Sequence, residues 1–136
     1  MSRKIFFDTN VVLDLLDETR VGNKFMEPLL NKIAKENYIV VLSEDMLSTL
    51  YYIIPDKKRV LEFLKTVLQY WQIVSYGTEV IKEAINVAQE KQVDLEDLLQ
   101  CLCAKANGCE MILTNDKKFY NCGTKIMSPK QFLERN

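Results

Sequence analysis

Ile5-Phe6-Phe7-Asp8-Thr9-Asn10 lies near the start of the chain, and Met111-Ile112-Leu113-Thr114-Asn115-Asp116 near its end. Each stretch is a short apolar run followed at once by polar residues and an acid. Runs of this length without alternation read as strands buried on both faces, the signature of a parallel sheet. Asp8 and Asp116 then fall at or just past strand C-terminal ends, where open α/β sheets bind their ligands. Asp97 begins a helical run that leads into the second of these strands. Three carboxylates from distant parts of the chain are therefore expected to converge. Like charges gathered in one place are unfavourable unless a cation neutralises them. This points to a divalent metal and to phosphate chemistry.

Working outward, residues 3–7 read as the first strand, and Asn10 to Leu16 as a short helix with Val11, Val12, Leu15 and Leu16 apolar. A second helix is expected over Asn23 to Lys35, with Pro28 either kinking it or marking its first turn. Tyr38 to Leu42 is the next strand. Ser43 reads as the N-cap of a helix to Ile54, with Glu44 and Asp45 matching the dipole of its first turn. Lys57 to Tyr70 is helical, Gln72 to Val74 a strand, and Gly77-Thr78 opens a helix to Glu90. Asp94 caps a helix to Asn107, and Gly108 stops it. Met111 to Leu113 and Lys125 to Met127 complete the strands. Ser128-Pro129 opens the last helix. Strands separated by helices imply a parallel sheet covered on both faces, a three-layer α/β/α sandwich. Residues 1–136 read as one domain, without repeats or linkers.

Composition narrows the chemistry. The chain has 136 residues, 48% hydrophobic and 27% charged, with a net charge of −1. That is ordinary for a globular protein and announces no nucleic-acid binding through global charge. Contact with nucleic acid would rest on local basic groups: Arg3-Lys4, Lys57-Lys58-Arg59 and Lys117-Lys118. No signal-peptide pattern and no run approaching ~20 apolar residues is present, so a cytoplasmic protein with no membrane span is expected. There is no histidine. This excludes Ser-His-Asp and Cys-His catalysis and the usual catalytic zinc sites. Cys101, Cys103, Cys109 and Cys122 fit no zinc spacing and are expected as reduced thiols, with Cys101 and Cys103 in core packing.

The residues also carry a family resemblance. Asp8-Thr9-Asn10-Val11 is similar to the opening motif of PIN domains. Asp97-Leu98-Leu99-Gln100-Cys101-Leu102-Cys103-Ala104, then Gly108, then Ile112-Leu113-Thr114-Asn115-Asp116-Lys117-Lys118-Phe119, resembles their C-terminal motif. Ser128-Pro129-Lys130-Gln131-Phe132-Leu133 looks like their last helix. The ordered set spans essentially the whole chain. The resemblance implies a Mg²⁺- or Mn²⁺-dependent ribonuclease, often the toxin of a toxin–antitoxin pair of VapC type. It implies an RNA substrate, a homodimer, and a small antitoxin whose basic side chain enters the acidic groove.

Carried over residue by residue, Asp8, Asp97 and Asp116 are the catalytic, metal-holding acids. Asn10 supports Asp8 by a hydrogen bond, and Thr114 either orients the loop of Asp116 or hydrogen-bonds a phosphate oxygen. Asp94 either shares the site or is an N-cap. Asp14 and Asp17 read as solvated helix acids, with Asp14 close enough in sequence to line the same cleft. One departure stands out. The glutamate that PIN nucleases usually carry after the second strand falls at Thr49. Asp45, one turn earlier, either reaches the site in its place or is only a first-turn acid. The Leu50-Tyr51-Tyr52-Ile53 segment resembles a PIN subgroup that also lacks this glutamate. Thr49 keeps open a non-catalytic PIN scaffold binding RNA or a protein. A phosphotransfer domain is a third reading, although Asp8 stands alone where a receiver would want paired acids. Tyr51, Tyr52, Tyr70 and Trp71 are either core residues or a partner surface.

Overall fold

A computed structural model describes residues 3–135. Five strands form one parallel sheet: β1 (Arg3–Phe7), β2 (Tyr38–Ser43), β3 (Gln72–Val74), β4 (Met111–Leu113) and β5 (Lys125–Met127). Their order is β3-β2-β1-β4-β5, so β1 is central. Ile5 stands beside Val40 on one side and Met111 on the other. Ile5, Phe6 and Phe7 are all but fully buried. Each such side chain contributes about 1.5–3 kcal/mol on leaving water. This is why a continuous apolar run, rather than an alternating one, marks the middle of the sheet.

The helices are α1 (Thr9–Leu16), α2 (Met26–Lys35), α3 (Asp45–Ile53), α4 (Lys57–Tyr70), α5 (Thr78–Lys91), α6 (Leu95–Ala106) and α7 (Pro129–Glu134), with a 3-10 turn at Val21–Phe25. Right-handed crossovers decide the layers. The chain steps from β1 to β2 to β3 in one direction, carrying α1 to α4 over one face. It then jumps back across β1 to β4, carrying α5 and α6 over the other. The three-layer α/β/α architecture follows. α5 and α6 pack together through Val80, Ala84, Leu98 and Leu102, while the main core surrounds β1, β2 and β4.

Several local expectations resolve differently. Pro28 sits in the first turn of α2, where its missing N–H costs nothing, and the 3-10 turn precedes it. Ser43 ends β2 instead of capping α3; its hydroxyl is buried without a partner, and Glu44 holds the cap position with no side-chain bond. Gly108 follows α6 at φ +73°, the left-handed conformation expected of a helix stop. Ser128 and Gln131 form a reciprocal capping box on α7.

Cys101 is disulfide-bonded to Cys122, whereas the sequence suggested a reduced, packing thiol; Cys103 and Cys109 are free and buried. The partner for Cys101 comes from the segment between β4 and β5, which sequence spacing does not place. Among the described residues, no helix is long and apolar enough to cross a membrane.

Candidate active site

The strand order reverses between β1 and β4, and such a switch point opens a crevice at the strand C-terminal edge. Asp8 follows β1 directly and the Thr114–Asp116 segment follows β4. α6 leads into β4 and so runs antiparallel to the strands, which brings its first turn to the same edge. α3 starts there too, immediately after β2. Topology alone gathers these four pieces.

Asp8 is 8% exposed and serves as N-cap of α1. Its Oδ1 accepts from the Thr9 N–H at 2.6 Å. Its Oδ2 accepts from the Thr114 hydroxyl at 2.7 Å and from Asn10 Nδ2 at 3.0 Å. Burial pushes its carboxyl pKa up, and nearby Asp116 adds to this, while the bonds from Thr114 and Thr9 act in the opposite direction. The support expected from Asn10 is present. Its Oδ1 also accepts the Asn115 N–H at 3.0 Å. Thr114 Oγ1 accepts the Asp116 N–H at 3.0 Å, tying that loop to the same network.

On α6, Asp94 is the N-cap, its Oδ1 accepting the Asp97 N–H at 3.0 Å. The reciprocal bond of a capping box is not made, so the Asp97 carboxyl is left for the cleft. Burial raises its pKa to about 6, helped by the charges of Asp94, Asp8, Asp116 and Glu96. Asp116 Oδ1 accepts the Lys118 N–H at 2.9 Å.

Asp8, Asn10, Thr49, Asp94, Glu96, Asp97, Asp116 and Lys118 line one open cleft of about 550 Å³. Asp8, Asp97 and Asp116 thus share a cleft as the sequence suggested, but they stand spaced around it. Among the described residues, no three His, Cys, Asp or Glu side chains are gathered as a preassembled metal cage. Mutual repulsion favours that spacing, and Mg²⁺ commonly keeps several waters between itself and its carboxylates.

The residues fit such an ion chemically. The donors are all oxygen, and acids outnumber the single lysine. Gln100, 1% exposed and bonded through Nε2 to the cleft residue Glu96, leaves its amide oxygen without a partner.

Asp45 is placed elsewhere. It lines a neighbouring pocket with Glu44, Ser48, Ser75, Tyr76, Gly77 and Ile81, and it is absent from the cleft lining, although its charge, after burial and Asp8, helps raise the Glu96 pKa. Thr49 itself faces the cleft, its hydroxyl bonded back to the Asp45 carbonyl at 3.2 Å. Asp14 is corrected as well: it is 2% exposed, not solvated, and ion-paired to Arg20 at 2.7 Å.

Glu96 and Gln100 were missed by sequence reasoning. The available signal was a glutamine inside the apolar run Leu98 to Leu102, one turn after an acid. A larger groove of about 720 Å³ is lined by Leu15, Leu30, Phe63, Val67 and Trp71 with only Arg59 and Glu62 charged, so it offers packing rather than chemistry. Trp71 packs edge-on against Phe7 and Phe63, while Tyr51, Tyr52 and Tyr70 are exposed.

An acid-lined cleft at the switch point of a five-stranded parallel sheet defines a PIN-like fold. The PIN domain model matches residues 5–125. Ribonuclease VapC1 of Aquifex aeolicus (strain VF5) is 34% identical over 138 residues, covering 98% of this chain and 96% of its own. The chain therefore belongs to the PIN-domain family, among its VapC-type toxin ribonucleases.

Two solved structures share the fold at low identity. A toxin–antitoxin complex from Klebsiella pneumoniae superposes with TM-score 0.67 at 17% identity, covering 92% of this chain and 97% of the other. Mycobacterium tuberculosis VapC20, a sarcin-ricin-loop-cleaving toxin, superposes with TM-score 0.68 at 15% identity, covering 85% and 92%.

Proposed function

We propose that this protein is the ribonuclease toxin of a toxin–antitoxin pair and hydrolyses RNA phosphodiester bonds in the cleft between β1, β4 and α6, with residues 1–136 acting as one domain. The observation that carries the site assignment is Asp8. It is a nearly buried carboxylate held by three donors from Thr9, Asn10 and Thr114, and it opens onto Asp97 and Asp116.

Asp8, Asp97 and Asp116 would hold Mg²⁺ or Mn²⁺, with Asp94 at the margin as the cap that orders α6. Bound there, such an ion would supply Lewis-acid polarisation of a phosphoryl oxygen and would acidify a water. Asn10 and Thr114 fix the Asp8 carboxylate so that no reorientation is needed on binding. Lys118, at the cleft edge, offers a cation to an RNA phosphate. A small antitoxin with a basic side chain in this acidic cleft would silence it, and the active toxin is a homodimer. Thr49 and the following Leu50-Tyr51-Tyr52-Ile53 segment support assignment to a subgroup without the usual helix glutamate.

The test is Mn²⁺ calorimetry on wild type and Asp8→Asn, with cleavage of a structured RNA on the same samples. Binding and cleavage in the wild type, both lost in the mutant with its melting temperature preserved, are expected. Unchanged Mn²⁺ affinity in the mutant would sink the site assignment. Thr49 facing the cleft also favours a second reading, a PIN scaffold that binds RNA or protein without cutting. Wild type that neither binds Mn²⁺ nor cleaves would select it.

A further inference from the structure

We propose that Glu96 supplies the cleft carboxylate that α3 lacks, and that Gln100 positions it against Asp8. This deepens the nuclease reading and rests on it.

From α3 the cleft receives Thr49 and Ile53, neither of them an acid, and the Thr49 hydroxyl is already bonded to the Asp45 carbonyl. Asp45 lines a different pocket. The cleft's further acids come from α6. α6 carries three acids at its start. Asp94 is engaged in the cap. Asp97 is one of the three acids already assigned. Glu96 also lines the cleft, and its Oε1 accepts from Gln100 Nε2 at 3.4 Å, one helical turn on.

A glutamate that merely matched the helix dipole would need no such partner. Gln100 is 1% exposed and lies against the Asp8 carboxylate, whose charged form it favours. The amide thus stands between two acids from different layers of the fold. Its oxygen, Oε1, has no partner. Leaving a buried polar atom unpaired is costly. A water, or the hydration shell of an ion in the cleft, would satisfy it. A cation there would also relieve the repulsion between Glu96 and Asp8, which, after burial, holds the Glu96 carboxyl above its ordinary pKa.

Calorimetry with MnCl₂ on the full chain tests this, comparing wild type, Glu96→Gln, Asp45→Asn and the double variant Glu96→Gln/Thr49→Glu, with melting temperature as the folding control. The expected result is about tenfold weaker Mn²⁺ binding in Glu96→Gln. Asp45→Asn should bind like wild type, and the double variant should recover most of the loss. Recovery by a carboxylate on α3 is a readout that a merely structural role for Glu96 would not produce.

Glu96→Gln affinity within twofold of wild type would overturn the inference while leaving the nuclease reading intact. Equal losses in Glu96→Gln and Asp45→Asn would overturn it as a diffuse charge effect. Loss without recovery would overturn the claim that Glu96 stands in for α3. No Mn²⁺ binding by the wild type would remove the nuclease reading, and this inference with it.

Discussion

Asn115 donates from Nδ2 to Asp14 Oδ2 at 2.7 Å, joining the loop after β4 to the middle of α1. Asp14 is buried, and its other oxygen accepts from Arg20 Nε at 2.7 Å. Its backbone carbonyl accepts from Asn23 at 2.8 Å. One residue, through its carboxylate and its carbonyl, therefore ties α1, the 3-10 turn and the Asp116 loop together. A buried charge with both oxygens engaged is tolerable, whereas the same charge left alone is strongly destabilising. Asn115 precedes Asp116 and its N–H is held by Asn10, so the clamp also governs where Asp116 stands.

Asn115→Ala removes one bond to that carboxylate from an exposed position. The expected loss of stability is about 1–3 kcal/mol, read from denaturant unfolding. Mn²⁺ affinity should fall several-fold although no acid is removed. Wild-type affinity in this variant would mean that the clamp serves stability alone.

Gly22 is required by the same carboxylate. A Cβ at this position would lie 2.0 Å from Asp14 Oδ2, so Gly22→Ala must displace it or the turn. A destabilisation of about 1–3 kcal/mol is expected. Most of it should vanish in the Asp14→Ala background, as a double-mutant cycle would show. Additive losses would place the strain elsewhere.

The Asp97 carboxyl, raised to about 6, makes a signed prediction. Its folded pKa lies above the unfolded value, so the folded state binds the proton more tightly. The resulting stability is present in full below about pH 4 and is lost as pH rises through 6. Melting temperatures of the metal-free protein should fall across that interval more steeply than those of Asp97→Asn. Mn²⁺ competes with this proton, so its stabilising effect should be greater at pH 7.5 than at pH 5. Identical pH profiles for the two proteins would refute the assignment of the shift to Asp97.

The Cys101–Cys122 disulfide anchors the segment beyond Asp116 to α6. Closing a loop across a sequence separation of 21, it should stabilise the oxidised chain by about 3 kcal/mol. Dithiothreitol should lower the melting temperature of wild type but leave Cys122→Ser unmoved. A wild type indifferent to reductant would show that the bridge contributes nothing to folding.

The class of fold was legible in the residues because a strand buried on both faces must be apolar throughout. Ile5-Phe6-Phe7 and Met111-Ile112-Leu113 are such strands, and the order of strands and helices then implies the layers. Asp8 and Asp116 were legible for the same reason, since chain position fixes which residue follows a strand. Asp97 was legible because a helix leading into a parallel strand must start at the edge where the preceding strands end.

Side-chain facing and pairing were not legible, because they depend on neighbours brought in from distant sequence. Asp14 and Asp45 look alike as helix acids. One is buried because Arg20 and Asn115 reach it, and the other faces Tyr76 instead of the cleft. Cys101 becomes half of a disulfide only because the segment after β4 passes over α6. Glu96 and Gln100 acquire meaning only when α6 is laid beside Asp8. Periodicity and burial are local and survive in a string of letters. Convergence of charges across layers is a property of the packed molecule, so the tertiary structure alone decided it.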